Sequence, residues 1–134
     1  MRKELIELAD TLVNALKKEG IVIQRYDSYS SNSIYLKLDY GVAYSIRISD
    51  HPGKQYLRYR YNIGTDIAEY SEYLGEATRY YYNISDYDKL LDRILLERSK
   101  KLEEYGENTY KKFMLLDRNS NKNKKGFWAQ ARLV

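Results

Sequence analysis

At 134 residues, 43% of them apolar and 31% charged, the chain suits one domain with a core of its own. Its apolar runs are too short to cross a bilayer, and Met1-Arg2-Lys3-Glu4 enters an amphipathic pattern at once, with no signal-peptide segment. The lack of cysteine excludes disulfides and thiolate metal sites and suits a reducing cytosol, while the net charge of +4 gathers at residues 108–134, with seven Lys/Arg against one acid.

The first predicted element is a helix over residues 3–19. Leu5, Ala9, Leu12 and Leu16 repeat at helical spacing, Ile6, Leu8 and Val13 widen the stripe, and Gly20 marks the stop. Ile21 to Tyr26 reads as a strand that ends in the polar loop Asp27 to Ser31. From Ser31 to Pro52 two runs alternate strictly around Gly41, the strongest hairpin signal in the chain. A three-residue loop Asp39-Tyr40-Gly41 would pair Leu38 with Val42, Leu36 with Tyr44 and Ile34 with Ile46. One face of the hairpin is then apolar. The other collects Ser33, Tyr35 and Lys37 beside Ala43, Ser45 and Arg47.

A further strand over Gln55–Ile63 would bring Arg58 and Arg60 to the side of Arg47 if it pairs with the hairpin. Thr65 could cap a short helix closed by Gly75, and Thr78 to Tyr82 reads as one more strand. Ser85-Asp86-Tyr87-Asp88 has the form of a capping box, opening a helix to about Tyr105 that buries Tyr87, Leu91, Ile94, Leu95 and Leu102. Asn108 to Leu116 suits helix or strand, Asn119 to Gly126 is a loop by composition, and Phe127 to Val134 is a docked strand or a tail. Antiparallel strands without βαβ alternation give an α+β domain over residues 1–134. We expect about five strands, an N-terminal helix and a long helix in the C-terminal half.

Chemical motifs are few. One histidine and no cysteine leave little for a two-histidine metal site or a nucleophilic triad, and the scattered acids at Asp86, Asp88, Asp92 and Glu103, Glu104, Glu107 suit helix ends. Neither a cofactor nor a metal is expected. Arg47, Ser49, Asp50 and His51 could form an acid/base group, with Tyr35 or Ser33 assisting. A simpler account makes Ser49 and Asp50 turn caps and holds His51 extended before Pro52. Two features suit nucleic acid. One is the Arg47/Arg58/Arg60 face flanked by Tyr35 and Tyr56; the other is a basic run carrying Lys122, Lys124 and Lys125 up to Trp128. Sixteen tyrosines against two Phe and one Trp also suit adaptable binding surfaces.

Ser31-Asn32-Ser33-Ile34-Tyr35 followed by Arg47-Ile48-Ser49-Asp50-His51 resembles a pattern in small phage and prophage proteins. Tyr59-Arg60-Tyr61-Asn62-Ile63 and Arg79-Tyr80-Tyr81-Tyr82 fit the same likeness, which covers residues 21–100. The resemblance implies a mobile-element origin, a host bacterial cytoplasm and a non-enzymatic accessory protein that binds host defence machinery, as anti-CRISPR proteins do. Three readings are therefore carried forward. The first is protein–protein binding that inhibits a host nucleoprotein complex. The second is nucleic-acid binding through Ser33, Tyr35, Ser45, Arg47, Tyr56, Arg58 and Arg60 with the basic C-terminal run. The third is a hydrolase or nuclease centred on His51. The chain could be a monomer or, through a bare strand edge, a homodimer.

Overall fold

The computed structural model describes residues 1–50, 57–63, 78–122 and 131–134. Helix α1 (Lys3–Lys18) is followed by strands β1 (Ile23–Ser28), β2 (Ser33–Leu38), β3 (Ser45–Ser49), β4 (Leu57–Ile63) and β5 (Thr78–Asn83). Helices α2 (Tyr87–Tyr105) and α3 (Glu107–Lys122) come next, and β6 (Arg132–Leu133) closes the chain. The strands form one antiparallel sheet in the order β5-β4-β3-β2-β1-β6. This is the expected α+β class with one strand more than anticipated. The sixth is the docked C-terminal strand, where Val134 N donates to Ile23 O at 3.1 Å.

The core forms between one face of the sheet and two helices. Leu5, Ala9, Leu12, Val13 and Leu16 from α1, and Leu90 and Ile94 from α2, pack on Ile23, Leu36, Ile46, Ile48, Tyr59 and Tyr61. Tyr87, Leu91 and Leu95 lie at the margin of this core, partly buried. Ile94 is buried as predicted, while Leu90, outside the predicted stripe, is fully buried beside it and Leu102 only partly.

Two buried tyrosines complete the core, and their hydroxyls need partners. Tyr61 donates to Ala43 O at 3.1 Å. Tyr61→Phe should therefore cost about 1 kcal/mol, measured by urea denaturation, with the sheet otherwise unchanged. Burial pushes the Tyr59 hydroxyl up to about 12. Tyr61 is raised by burial too, and Tyr110 by burial and by its bond to Asp39. In the unfolded chain tyrosine ionises near pH 10. Above that pH the native state holds protons that the unfolded state has lost, so stability falls as pH rises from about 10 to 12. Alkaline unfolding should release several tyrosine protons together, with tyrosinate absorbance rising as circular dichroism is lost. Ionisation of all sixteen tyrosines near pH 10 with the fold intact would contradict this.

The hairpin register differs from the expectation by two residues. Ile34 faces Ile48, Leu36 faces Ile46, and Tyr35 faces Arg47. A slip of two preserves the faces of the paired residues, but Ala43, expected on the polar face, is fully buried in the core. The cause is the connection, which is longer than three residues. Asp39–Gly41 forms a 3-10 turn, Leu38 N donates to Tyr44 O at 3.0 Å, and Val42 to Tyr44 never join the strand. Asp39, Tyr40, Gly41 and Tyr44 all take positive φ, of 49°, 57°, 103° and 74°. A Cβ on Gly41 would crowd only the flexible end of Lys37, at 3.0 Å, so it is the φ of 103° that calls for glycine there.

Other boundaries shift for local reasons. β1 runs two residues further than the sequence suggested, to Ser28, because it pairs along its whole length with β2. The side-chain cap is Asn83 rather than Ser85, and it caps the 3-10 turn Ile84–Asp86 that leads into α2. Asn83 Oδ1 accepts from Asp86 N at 2.9 Å, and Ser85 Oγ donates to the same oxygen at 2.6 Å. The ambiguous segment after Asn108 is helical, and α3 consumes the start of the presumed loop as far as Lys122. The helix expected over 65–75, the first residues of the fourth strand, and His51 with Pro52 lie outside the described residues.

Candidate nucleic-acid interface

α1 and α2 lie on one face of the sheet, so period-two alternation sends every second strand residue to the other. Antiparallel pairing lines these up in rows across the strands. The central row runs Tyr26, Tyr35, Arg47, Arg60, Tyr81. Beside it runs Gln24, Lys37, Ser45, Asn62, Arg79, and on its other flank Ser28, Ser33, Ser49. These positions hold four cations and no carboxylate. With neighbouring strands about 4.8 Å apart, the central row is about 19 Å long.

Arg47 and Arg60 stand directly opposite each other on β3 and β4. Like charges at such a pair repel. Arg47 is steadied by Ser33 Oγ, which accepts from Nε at 3.2 Å and from Nη2 at 3.1 Å, and its guanidinium lies 5.7 Å from the centre of the Tyr35 ring. Ser33 is buried and its own hydroxyl donates to Ser31 O at 3.1 Å. Arg60 is held less well. Burial lowers its pKa, the charges of Arg47 and Arg79 lower it further, and the Tyr81 hydroxyl offsets only part of this. Its Nε is buried without a hydrogen-bond partner among the described residues, as are Arg58 Nη1 on the same strand and Gln24 Oε1 and Asn62 Oδ1 in the adjoining row.

The other interior arginines are treated differently. Arg25, 6% exposed, gives Nη1 to Asp10 at 2.6 Å and Nε to Asp27 at 2.8 Å. Those two acids hold its pKa up against burial. Arg93 pairs with Glu97 at 3.0 Å while its guanidinium lies 4.1 Å from the Tyr80 ring centre, and Arg98 pairs with Asp39 at 2.7 Å. Among the described residues no carboxylate pairs with Arg47, Arg60 or Arg79.

Arg58 departs from the expectation. The β4–β5 register shifts between Leu57 and Tyr59, and the Arg58 Nε lies 3.3 Å from both Glu4 Oε1 in α1 and Asp50 Oδ1. Its charge is therefore neutralised near the N-terminus of α1 instead of joining Arg47 and Arg60. Asp50 also accepts from Arg2 Nη2 at 2.7 Å. Of the proposed acid/base group, Arg47 and Asp50 are thus held by Ser33 and by two arginines. Ser49 is buried opposite Ser33, and His51 lies outside the described residues.

The structure gathers Ser33, Tyr35, Ser45, Arg47 and Arg60 on one face, as the alternation implied. Lys122 ends α3, while Tyr56, Lys124, Lys125 and Trp128 lie outside the described residues. Sequence reasoning missed Tyr26, Tyr81 and Arg79. The alternation of Arg79, Tyr80, Tyr81 and Tyr82 contains the signal, but only the pairing of β5 with β4 turns it into membership of the row. Nothing in the sequence flagged the buried Asp39 either. Its Oδ1 accepts from Val22 N at 3.0 Å, and its Oδ2 accepts from Arg98 Nε and the Tyr110 hydroxyl.

A cavity of about 540 Å³ adjoins that network, lined by Val22, Arg98, Leu102, Tyr110 and Met114 among others. Among the described residues no group of three His, Asp or Glu could hold a metal ion. No helix there is long and apolar enough to cross a membrane. Comparison with protein-family models, curated proteins and solved structures finds no match to this chain.

Proposed function

We propose that the protein acts by binding rather than catalysis, and that the Arg47/Arg60 face takes the sugar–phosphate strand of a single-stranded nucleic acid. The observation behind this reading is the half-buried arginine pair, without a carboxylate partner among the described residues, in a chain that pairs Arg25 and Arg98 with acids. A phosphate between the two guanidinium groups would relieve their repulsion. Tyr35 and Tyr81 flank the pair in the row, where aromatic rings suit stacking on unpaired bases.

The experiment is fluorescence anisotropy with labelled single-stranded RNA, single-stranded DNA and duplexes of equal length, titrated with salt. Single strands should bind best, with affinity falling linearly in log salt. Absence of salt-sensitive binding to every probe would end this reading.

The second reading is a phage-type accessory protein that inhibits a host nucleoprotein complex through protein contact, as anti-CRISPR proteins do. It is supported by the resemblance at Ser31 to His51 and by Leu115 and Leu116, which α3 leaves 54% and 65% exposed. Pull-down of an assembled complex by a protein that binds no isolated nucleic acid would favour it.

A further inference from the structure

The two ends of the sheet are finished differently. At one end the chain adds β6 to β1, covering Gln24 and Arg25. At the other, β5 is the outermost strand among the described residues. Its six residues, Thr-Arg-Tyr-Tyr-Tyr-Asn, contain no proline, glycine or lysine, and their one charge, Arg79, belongs to the polar face. The register shift opposite Asn83 leaves Thr78 to Tyr82 in regular pairing with β4. Proteins ordinarily guard a bare edge with proline, lysine, a bulge or an inward charge. β5 has none of these along its regular part.

We propose that β5 pairs antiparallel with β5 of a second copy about a two-fold axis through Tyr80, continuing the sheet across both molecules. The occupant follows from the pattern of the strand. Arg79 and Tyr81 lie on the polar face, and Tyr80 and Tyr82 on the helix side. Residues opposite each other in a sheet share a face, so self-pairing of this strand centres on a residue rather than between two. Centring on Tyr80 sets Thr78 against Tyr82 of the second copy and Arg79 against its Tyr81. A guanidinium then meets an aromatic ring and hydroxyl, twice by symmetry. Centring on Tyr81 sets Arg79 against Asn83 and forgoes that cation–ring pairing. In the favoured register Arg79 of each copy extends the central row of the other, immediately beyond Tyr81. Dimerisation of this kind does not depend on nucleic-acid binding.

The test uses the full chain without nucleic acid. Light scattering after size exclusion should give a dimer mass that falls on dilution, and the amides of β5 should gain exchange protection with concentration. The chain has no cysteine. Tyr80→Cys should therefore form a disulfide-linked dimer under mild oxidation far faster than Tyr29→Cys, at a site 70% exposed. Arg79→Glu should raise the dimer dissociation constant about tenfold. A monomer at every concentration, with no concentration-dependent protection of β5, would overturn the proposal whether or not the cysteine variant folds. A dimer indifferent to Arg79→Glu, or linked as slowly at position 80 as at 29, would overturn it equally.

Discussion

Replacing Asp39 by alanine is expected to cost about 3–5 kcal/mol, read from urea denaturation. The carboxylate is wholly buried and joins three parts of the chain that are distant in sequence. Val22 N follows α1, Arg98 belongs to α2, and Tyr110 sits in the first turns of α3. Alanine would leave the Arg98 guanidinium, 21% exposed, without its counter-charge and the buried Tyr110 hydroxyl without an acceptor. Each orphaned group costs more than its bond contributes, because water cannot replace the partner. The turn itself also depends on this anchorage. Asp39, Tyr40 and Tyr44 are non-glycine residues at positive φ, a conformation that persists only where surrounding contacts enforce it. Lys101 adds to the clamp by donating to Val42 O at 2.8 Å. Amide exchange in α3 should accelerate first, since the helix loses a principal tie to the sheet. The double variant Asp39→Ala/Arg98→Met should cost less than the sum of its single changes, because it removes both charges. A loss below about 1 kcal/mol for Asp39→Ala would show that the network is incidental.

Removing the arginine pair should separate binding from stability. Arg47→Ala/Arg60→Ala is expected to weaken single-strand binding at least about tenfold and to reduce the salt slope by about 0.7, for the one phosphate that is no longer neutralised. Stability should move the other way. Arg60 is held charged against burial and against Arg47 and Arg79, with a buried Nε that has no acceptor among the described residues. Arg60→Met keeps much of the hydrophobic stem and removes that charge, so the free protein should gain on the order of 1 kcal/mol. An arginine retained for the fold alone would lose stability on the same change. If Arg60→Met destabilises the protein, or the double variant binds with unchanged affinity and salt slope, the face is not a phosphate site.

Much of the frame of this molecule is local information. The α1 stripe, the alternation from Ile34 to Ile48 and from Leu57 to Ile63, and the stop at Gly20 each depend on neighbours in the chain. They place Arg47 and Arg60 on the face opposite the core before any strand order is known. Even the two-residue error in the hairpin left that face intact, because side chains repeat every two residues.

Three features were decided only by tertiary structure. The row became a five-strand array when β5 paired with β4, bringing Tyr81 beside Arg60 across a sequence gap that no local pattern spans. Arg58, equivalent to Arg60 by alternation, was diverted to Glu4 and Asp50 because folding brought those acids within reach. Asp39 reads as an ordinary turn residue, yet it is the buried carboxylate on which α2 and α3 converge. Periodicity determines which way a side chain points, since that depends on backbone geometry within a few residues. Which charge finds a counter-charge is a property of the assembled fold. In this protein that difference separates Arg25 and Arg98, paired with acids, from Arg47 and Arg60, which have no carboxylate partner among the described residues.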